Sequence, residues 1–102
     1  MRTISQYRVR DLPTFQNGLI IDVRSPDEFS GPLGHLPNSK HVPLQDLYQR
    51  AAGWPRHTPI LAVCDAGRRS MEACQLLAKM GFTKIANLHG GLLAWKATQA
   101  LI

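Results

Sequence analysis

A chain of 102 residues, 44% apolar and 19% charged, suits one compact soluble domain spanning 1–102 and leaves no room for two. Lys and Arg outnumber Asp and Glu by 12 to 7, but only Arg68 and Arg69 stand together and no aromatic residues interleave with the basic ones, so a nucleic-acid surface is not expected. No apolar run nears the ~18 residues that cross a bilayer, the first residues form no apolar leader, and two cysteines make neither a disulfide framework nor a metal-ligand spacing; the expected setting is cytoplasmic, with no membrane contact and no metal.

In chain order, a short piece near Ile4 or Tyr7 is expected to add an edge strand. Leu19-Ile20-Ile21-Asp22-Val23 is too short for a helix and rich in β-branched residues, which predicts a buried strand. Lys40-His41-Val42 is a weaker strand closed by Pro43, and Gln45 to Ala52 reads as a short helix ended by Gly53. Pro59-Ile60-Leu61-Ala62-Val63 is a second buried strand that ends directly at Cys64. Ser70 to Met80 is the clearest helix: Ala73, Leu76, Leu77 and Met80 share a face, Gly81 supplies the stop, Ser70 is the expected N-cap and Glu72 is expected in the first turn. Cys74 falls inside that helix and reads as a small buried hydrophobe rather than a disulfide partner for Cys64. Ile85-Ala86-Asn87-Leu88 is another strand before the Gly90-Gly91 break, and Leu92 to Gln99 is the last helix, with Leu92, Trp95 and Ala100 available for docking. Strands alternating with helices predict an α/β domain with a largely parallel sheet.

The chemistry concentrates in Cys64-Asp65-Ala66-Gly67-Arg68-Arg69-Ser70, where a buried strand runs through a cysteine into a helix. Ligands of open α/β sheets bind at the carboxyl ends of the strands, and a loop feeding a helix N-terminus can aim several amides at one anion. Such a nest favours a thiolate, the nucleophilic form of cysteine, over the thiol. Gly67 allows a backbone conformation closed to other residues, or close approach to a bound anion. Arg68 reads either as solvated surface charge or as a contact for an anion, and Arg69 as a loop anchor or a substrate contact.

Cys64-x-x-Gly67-x-Arg69-Ser70 resembles the active-site loop of single-domain rhodaneses. Ile21-Asp22-Val23-Arg24, Glu28-Phe29, Gly34-His35-Leu36-Pro37 and Val42-Pro43 are similar to that family's upstream signature, and Gly90-Gly91-Leu92 with Ala94-Trp95 to its C-terminal one. Two departures stand out: Ser30-Gly31-Pro32-Leu33 looks like a small insertion, and Asn38-Ser39 stands where the family has Gly-Ala. The resemblance implies a three-layer fold with a sheet of about five strands and helices on both faces, and a sulfurtransferase without cofactor or metal. Cys64 would take sulfur from a small anionic donor such as thiosulfate as a persulfide and pass it to cyanide, a thiol or a partner protein. Asp65, Ala66, Gly67, Arg68, Arg69 and Ser70 would form the substrate loop. Asp22 is expected to accept backbone hydrogen bonds, Arg24 and Glu28 to pair and hold a turn, and His35 to fix a loop rather than act as a base. Two rivals share the fold. Phosphatases have five residues between cysteine and arginine where four separate Cys64 from Arg69, and non-catalytic modules commonly lack the cysteine or the loop glycine. Trp54 is left open between flanking the site and facing a partner.

Overall fold

Runs of apolar residues that must be covered on both faces form the centre of the chain. The computed structural model describes residues 4–100. Its strands are β1 (Ile4–Tyr7), β2 (Leu19–Asp22), β3 (Ser39–His41), β4 (Ile60–Val63) and β5 (Ile85–Leu88). They form one sheet in the order β1-β5-β4-β2-β3, and every neighbouring pair is parallel. The helices are α1 (Pro26–Phe29), α2 (Leu47–Ala51), α3 (Arg68–Lys79) and α4 (Gly91–Gln99), with 3-10 turns at Val9–Thr14 and Leu44–Asp46.

The two-residue period of a strand divides the core. Ile60, Ala62 and Cys64 face the side covered by Leu47 and Ala51 of α2 and Ala73, Cys74 and Leu77 of α3. Leu61 and Val63 face the other side, where Leu92 and Trp95 of α4 and Leu12 of the first 3-10 turn close the layer. The strand at Ile4–Tyr7 and the three-layer arrangement agree with the sequence reading, and Leu92 and Trp95 dock as expected.

Several boundaries differ. The stretch read as one helix from Gln45 divides into a 3-10 turn and the short α2. Helix α3 begins at Arg68, two residues early, because Gly67 at φ +98° turns the loop directly into it; Gly67 is the N-cap, Ser70 lies inside the first turn, and no acidic residue occupies that turn. Gly81 ends α3 as expected, at φ +102°. Helix α1 has no counterpart in the sequence reading, although Ser25-Pro26-Asp27-Glu28 carries its signal: Ser25 Oγ accepts from the Glu28 N–H while Glu28 accepts from the Ser25 N–H, a capping box with proline at the first position. The Ser30–Leu33 departure forms turns that extend α1, and Leu33 packs into the second core layer. Asn38 stands at φ +65°, which explains glycine at that place in the resembling family; asparagine is among the residues that best tolerate the left-handed region. Trp54 packs edge-on against Phe82, with ring centroids 6.4 Å apart, among the residues leading into β5 and at the end of the sheet opposite Cys64.

Candidate active site

Strand β4 carries Cys64 out of its carboxyl end and points it toward α3, where the residue is fully buried. Its Sγ accepts hydrogen bonds from the Gly67 N–H at 3.1 Å and the Ser70 N–H at 3.3 Å, and the Ser70 hydroxyl lies 3.2 Å away. The sulfur therefore meets hydrocarbon on one side and an amide nest on the other. Helix α4 sets the direction of that nest. Its first amides, Leu92 N–H and Leu93 N–H, take the carbonyls of Cys64 and Asp65, each at 2.9 Å, so those carbonyls face away from the thiol. Gly91 permits this approach: it sits at φ +58°, and a side chain there would run into the same two carbonyl oxygens. The Gly90-Gly91-Leu92 motif thus shapes the loop from the other face of the sheet.

Arg69 does not reach the sulfur. Its guanidinium makes two 2.7 Å bonds to the Glu28 carboxylate and lies 3.2 Å from Asp65 Oδ1. This corrects the expected pairing of Arg24 with Glu28. Arg24 instead folds into the protein, where its Nη2 lies 2.8 Å from Asp22 Oδ2 and 2.7 Å from the Gly34 carbonyl. Glu28 is left free for Arg69, and their paired bonds tie α1 to the start of α3. Asp22 accepts the Arg24 backbone N–H at 3.1 Å, as expected, and the guanidinium as well. Asp65 also accepts from the Ala66 N–H at 2.7 Å. Arg68 is exposed and takes part in no ion pair among the described residues, which leaves this loop cation open to an anion. A cavity of about 200 Å³ beside Arg69 is lined by Arg24, Ser25, Pro43, Leu44 and Gln45.

The Arg69 hydrogen bonds, helped by those from Ser25, hold the Glu28 carboxyl below its usual 4.5, at about 2, and the guanidinium is raised in turn. Because the folded value is the depressed one, the clamp's contribution is complete above pH 4.5 and is lost as pH falls toward 2. About a third of each side chain is exposed, 34% for Arg69 and 35% for Glu28, so water screens the pair and the effect is modest. Glu28→Gln is expected to flatten the acid limb of the thermal-melting curve over that window; an acid limb identical to that of the parent protein would remove the clamp from the account.

His35 Nδ1 bonds the Phe29 carbonyl at 3.1 Å and its ring stacks on Phe29 at 3.9 Å, contacts that tie the His35 loop to the end of α1. His41 stacks on Phe29 at 4.6 Å and bonds the Arg24 carbonyl at 2.8 Å. Asp22, Arg24, Glu28 and His35 make no hydrogen bond to Cys64 among the described residues; they brace the strands and loops around it. Cys74 lies buried in α3, bonded to the Ala86 carbonyl at 3.4 Å, and burial pushes its thiol up to about 12, the charge of Cys64 adding to the rise. Two residues near the sulfur went unread in the sequence: Asn87, whose Oδ1 accepts the Ser70 hydroxyl at 2.5 Å, and Gln6, whose Oε1 accepts from Asn87 Nδ2 at 3.1 Å. The signal for Asn87 is an amide inside an apolar strand, where a polar side chain needs a partner.

Residues 5–98 match the Rhodanese-like domain family. The chain is 36% identical over 95 residues to the uncharacterized protein YqhL of Bacillus subtilis, covering 93% of this chain and 72% of that one. It is 29% identical over 97 residues to the thiosulfate sulfurtransferase GlpE of Ectopseudomonas mendocina, covering 95% and 86%. Among solved structures, the rhodanese-like domain of the Anabaena Alr3790 protein superposes with a TM-score of 0.82 at 26% identity, over 94% of this chain and 76% of that one.

Proposed function

The chain belongs to the rhodanese-like domain family, a family of sulfur-transferring proteins, and from that premise we propose that Cys64 carries sulfane sulfur as a persulfide between an anionic donor and a nucleophilic acceptor. The observation that carries this reading is the pair of backbone amides, Gly67 N–H and Ser70 N–H, converging on Cys64 Sγ. With thiosulfate as donor, the Cys64 thiolate attacks the outer sulfur; an S–S bond forms, the bond to the sulfonate breaks, and its electron pair leaves with sulfite. A thiolate or cyanide then attacks the terminal sulfur of the persulfide, and the pair of the broken S–S bond returns to Cys64. The step is covalent catalysis in two halves, and ping-pong kinetics are expected. In the loaded state the negative charge moves out to the terminal sulfur, and the amide nest supplies the fixed dipoles that hold it.

Charge around the loop bears on the donor. Glu28 and Asp65 already balance Arg69, so attraction of an anionic donor falls to Arg68 and the amides. Incubation with thiosulfate, followed by mass spectrometry, is expected to show a gain of about 32 Da, one sulfur atom, that cyanide removes as thiocyanate. A protein that acquires no such increment from thiosulfate or any other sulfane donor would overturn the reading.

A further inference from the structure

A row of polar side chains crosses the sheet toward the thiol. Gln6 on β1 and Asn87 on β5 are register partners, and Asn87 stands beside Ala62 of β4, two residues before Cys64. Asn87 is only 4% exposed, on the same face as Cys64 and α3. Its Nδ2 donates to Gln6 Oε1, which leaves Oδ1 turned toward Ser70. Gln6 is held in this sense by its own Nε2, which points at Met71 Sδ 3.5 Å away. The hydroxyl of Ser70 has one hydrogen, and Asn87 Oδ1 accepts it. Ser70 Oγ therefore presents a lone pair, not a hydrogen, to Cys64 at 3.2 Å.

We propose that Asn87, oriented by Gln6, is a positioning residue for the sulfur carrier: it keeps the Ser70 hydrogen turned away from Cys64 Sγ, so the nucleophile ionises without that bond and stays reactive. A thiolate would draw the hydrogen to itself, but doing so strands Asn87 Oδ1 in the interior, where an acceptor without a donor is costly. Once sulfur is bound, the charge lies on the terminal atom, Sγ needs no donor, and the Ser70–Asn87 bond is undisturbed. The chain thus favours the loaded over the empty, ionised state.

Removing the acceptor has a two-sided consequence. In Asn87→Leu the Ser70 hydrogen is free to serve the thiolate, and the thiolate population at low pH rises about tenfold, the usual scale for a buried group left without its partner. Nucleophilicity falls as the thiolate is stabilised, with a Brønsted slope of roughly 0.4–0.5, so about a threefold gain in alkylation rate remains on the low-pH limb of the profile. At the high-pH plateau, where the rate no longer rises with pH in either protein, the variant alkylates about threefold more slowly for the same reason. The titratable groups on the elements around the thiol include Asp65 in the loop, Arg68, Arg69 and Cys74 on α3, and Glu28 behind Arg69. The Asp22–Arg24 pair stands at the end of the neighbouring β2. None of these is altered by the substitution.

The test is the pH profile of iodoacetamide modification at Cys64, followed by peptide mass, in the full chain. The expected result is that the Asn87→Leu profile crosses that of the parent, faster at low pH and slower at high pH. Gln6 provides an independent arm at an exposed position that does not threaten folding. Gln6→Lys presents a donor where Asn87 needs an acceptor; the amide then turns over, Nδ2 faces Ser70, and the same crossing is expected. Gln6→Glu keeps the acceptor and should track the parent protein. Profiles for Asn87→Leu or Gln6→Lys that run parallel to the parent, or lie above it at every pH as loosened packing would make them, overturn the proposal. The inference rests on Cys64 being the sulfur carrier, but the alkylation profile uses no sulfur donor, so the two readings fail separately.

Discussion

Cys64→Ser is expected to fold normally and to transfer no sulfur, a loss of at least about a thousandfold, since one atom of the nucleophile is the whole of the covalent step. A serine hydroxyl fits the space and can accept from Gly67 N–H and Ser70 N–H as the sulfur does. It does not ionise near neutral pH, and a nest of two amides is far too weak to make it do so. The control is Cys74→Ser. That thiol is buried ten residues further on, bonded to the Ala86 carbonyl and held up at about 12, so it is protonated wherever the reaction runs. Cys74→Ser is expected to keep the transfer rate of the parent. Thiocyanate release from thiosulfate and cyanide reads both variants, and retention of more than roughly a tenth of the rate by Cys64→Ser would place the sulfur elsewhere.

The same loop bears on the phosphatase alternative. A phosphoryl group has three peripheral oxygens to hold, and catalysis of its transfer is mostly charge stabilisation around them. Here four residues separate Cys64 from Arg69, and the guanidinium is turned outward onto Glu28 and Asp65 rather than into the nest. A single sulfur atom with its charge on one centre asks for less: a few converging amides and no inward-facing arginine.

What could be read from the sequence depended on how local the cause was. Buried parallel strands are continuous apolar runs, so β2, β4 and β5 were legible within a residue, and the passage from strand through Cys64 to helix was legible in its order though not in where the helix starts. The partner of Glu28 was not, because Arg69 lies 41 residues away and only the folded chain brings the two together. The role of Ser70 was misread for a subtler reason. Its type suits an N-cap, but the left-handed Gly67 starts the helix two residues sooner, and that shift aims the Ser70 amide and hydroxyl at the sulfur. Asn87 and Gln6 meet across 81 residues through strand order, which no local pattern encodes. Charged and polar partners were the part most often missed, since their pairing is decided by topology, whereas apolar periodicity is decided by the element itself.

Topology also concentrates stability at one ion pair. Arg24 and Asp22 are 1% and 0% exposed, joined by Nη2–Oδ2 at 2.8 Å and Nε–Oδ1 at 3.0 Å, with the Gly34 carbonyl taking a further bond from Nη2. Arg24→Met leaves the Asp22 carboxylate in the interior with a single backbone N–H, that of residue 24, and leaves the Gly34 carbonyl without its donor. Breaking a buried pair from one side costs roughly 3–5 kcal/mol, a large share of the ~5–15 kcal/mol that holds a domain together. The urea midpoint of Arg24→Met is therefore expected to fall far below that of the parent. Replacing both members, Asp22→Leu with Arg24→Met, removes the stranded charge and is expected to recover most of the loss, because a buried pair exchanged for well-packed apolar groups is close to neutral. Asp22 pairs in register with Val63, the residue before Cys64, so the single variant should also lower sulfur loading before it unfolds the chain, as the end of β2 loosens beside the loop. A single variant that melts within about 1 kcal/mol of the parent, or a double variant no better than the single, would show that the pair is not what braces this end of the sheet.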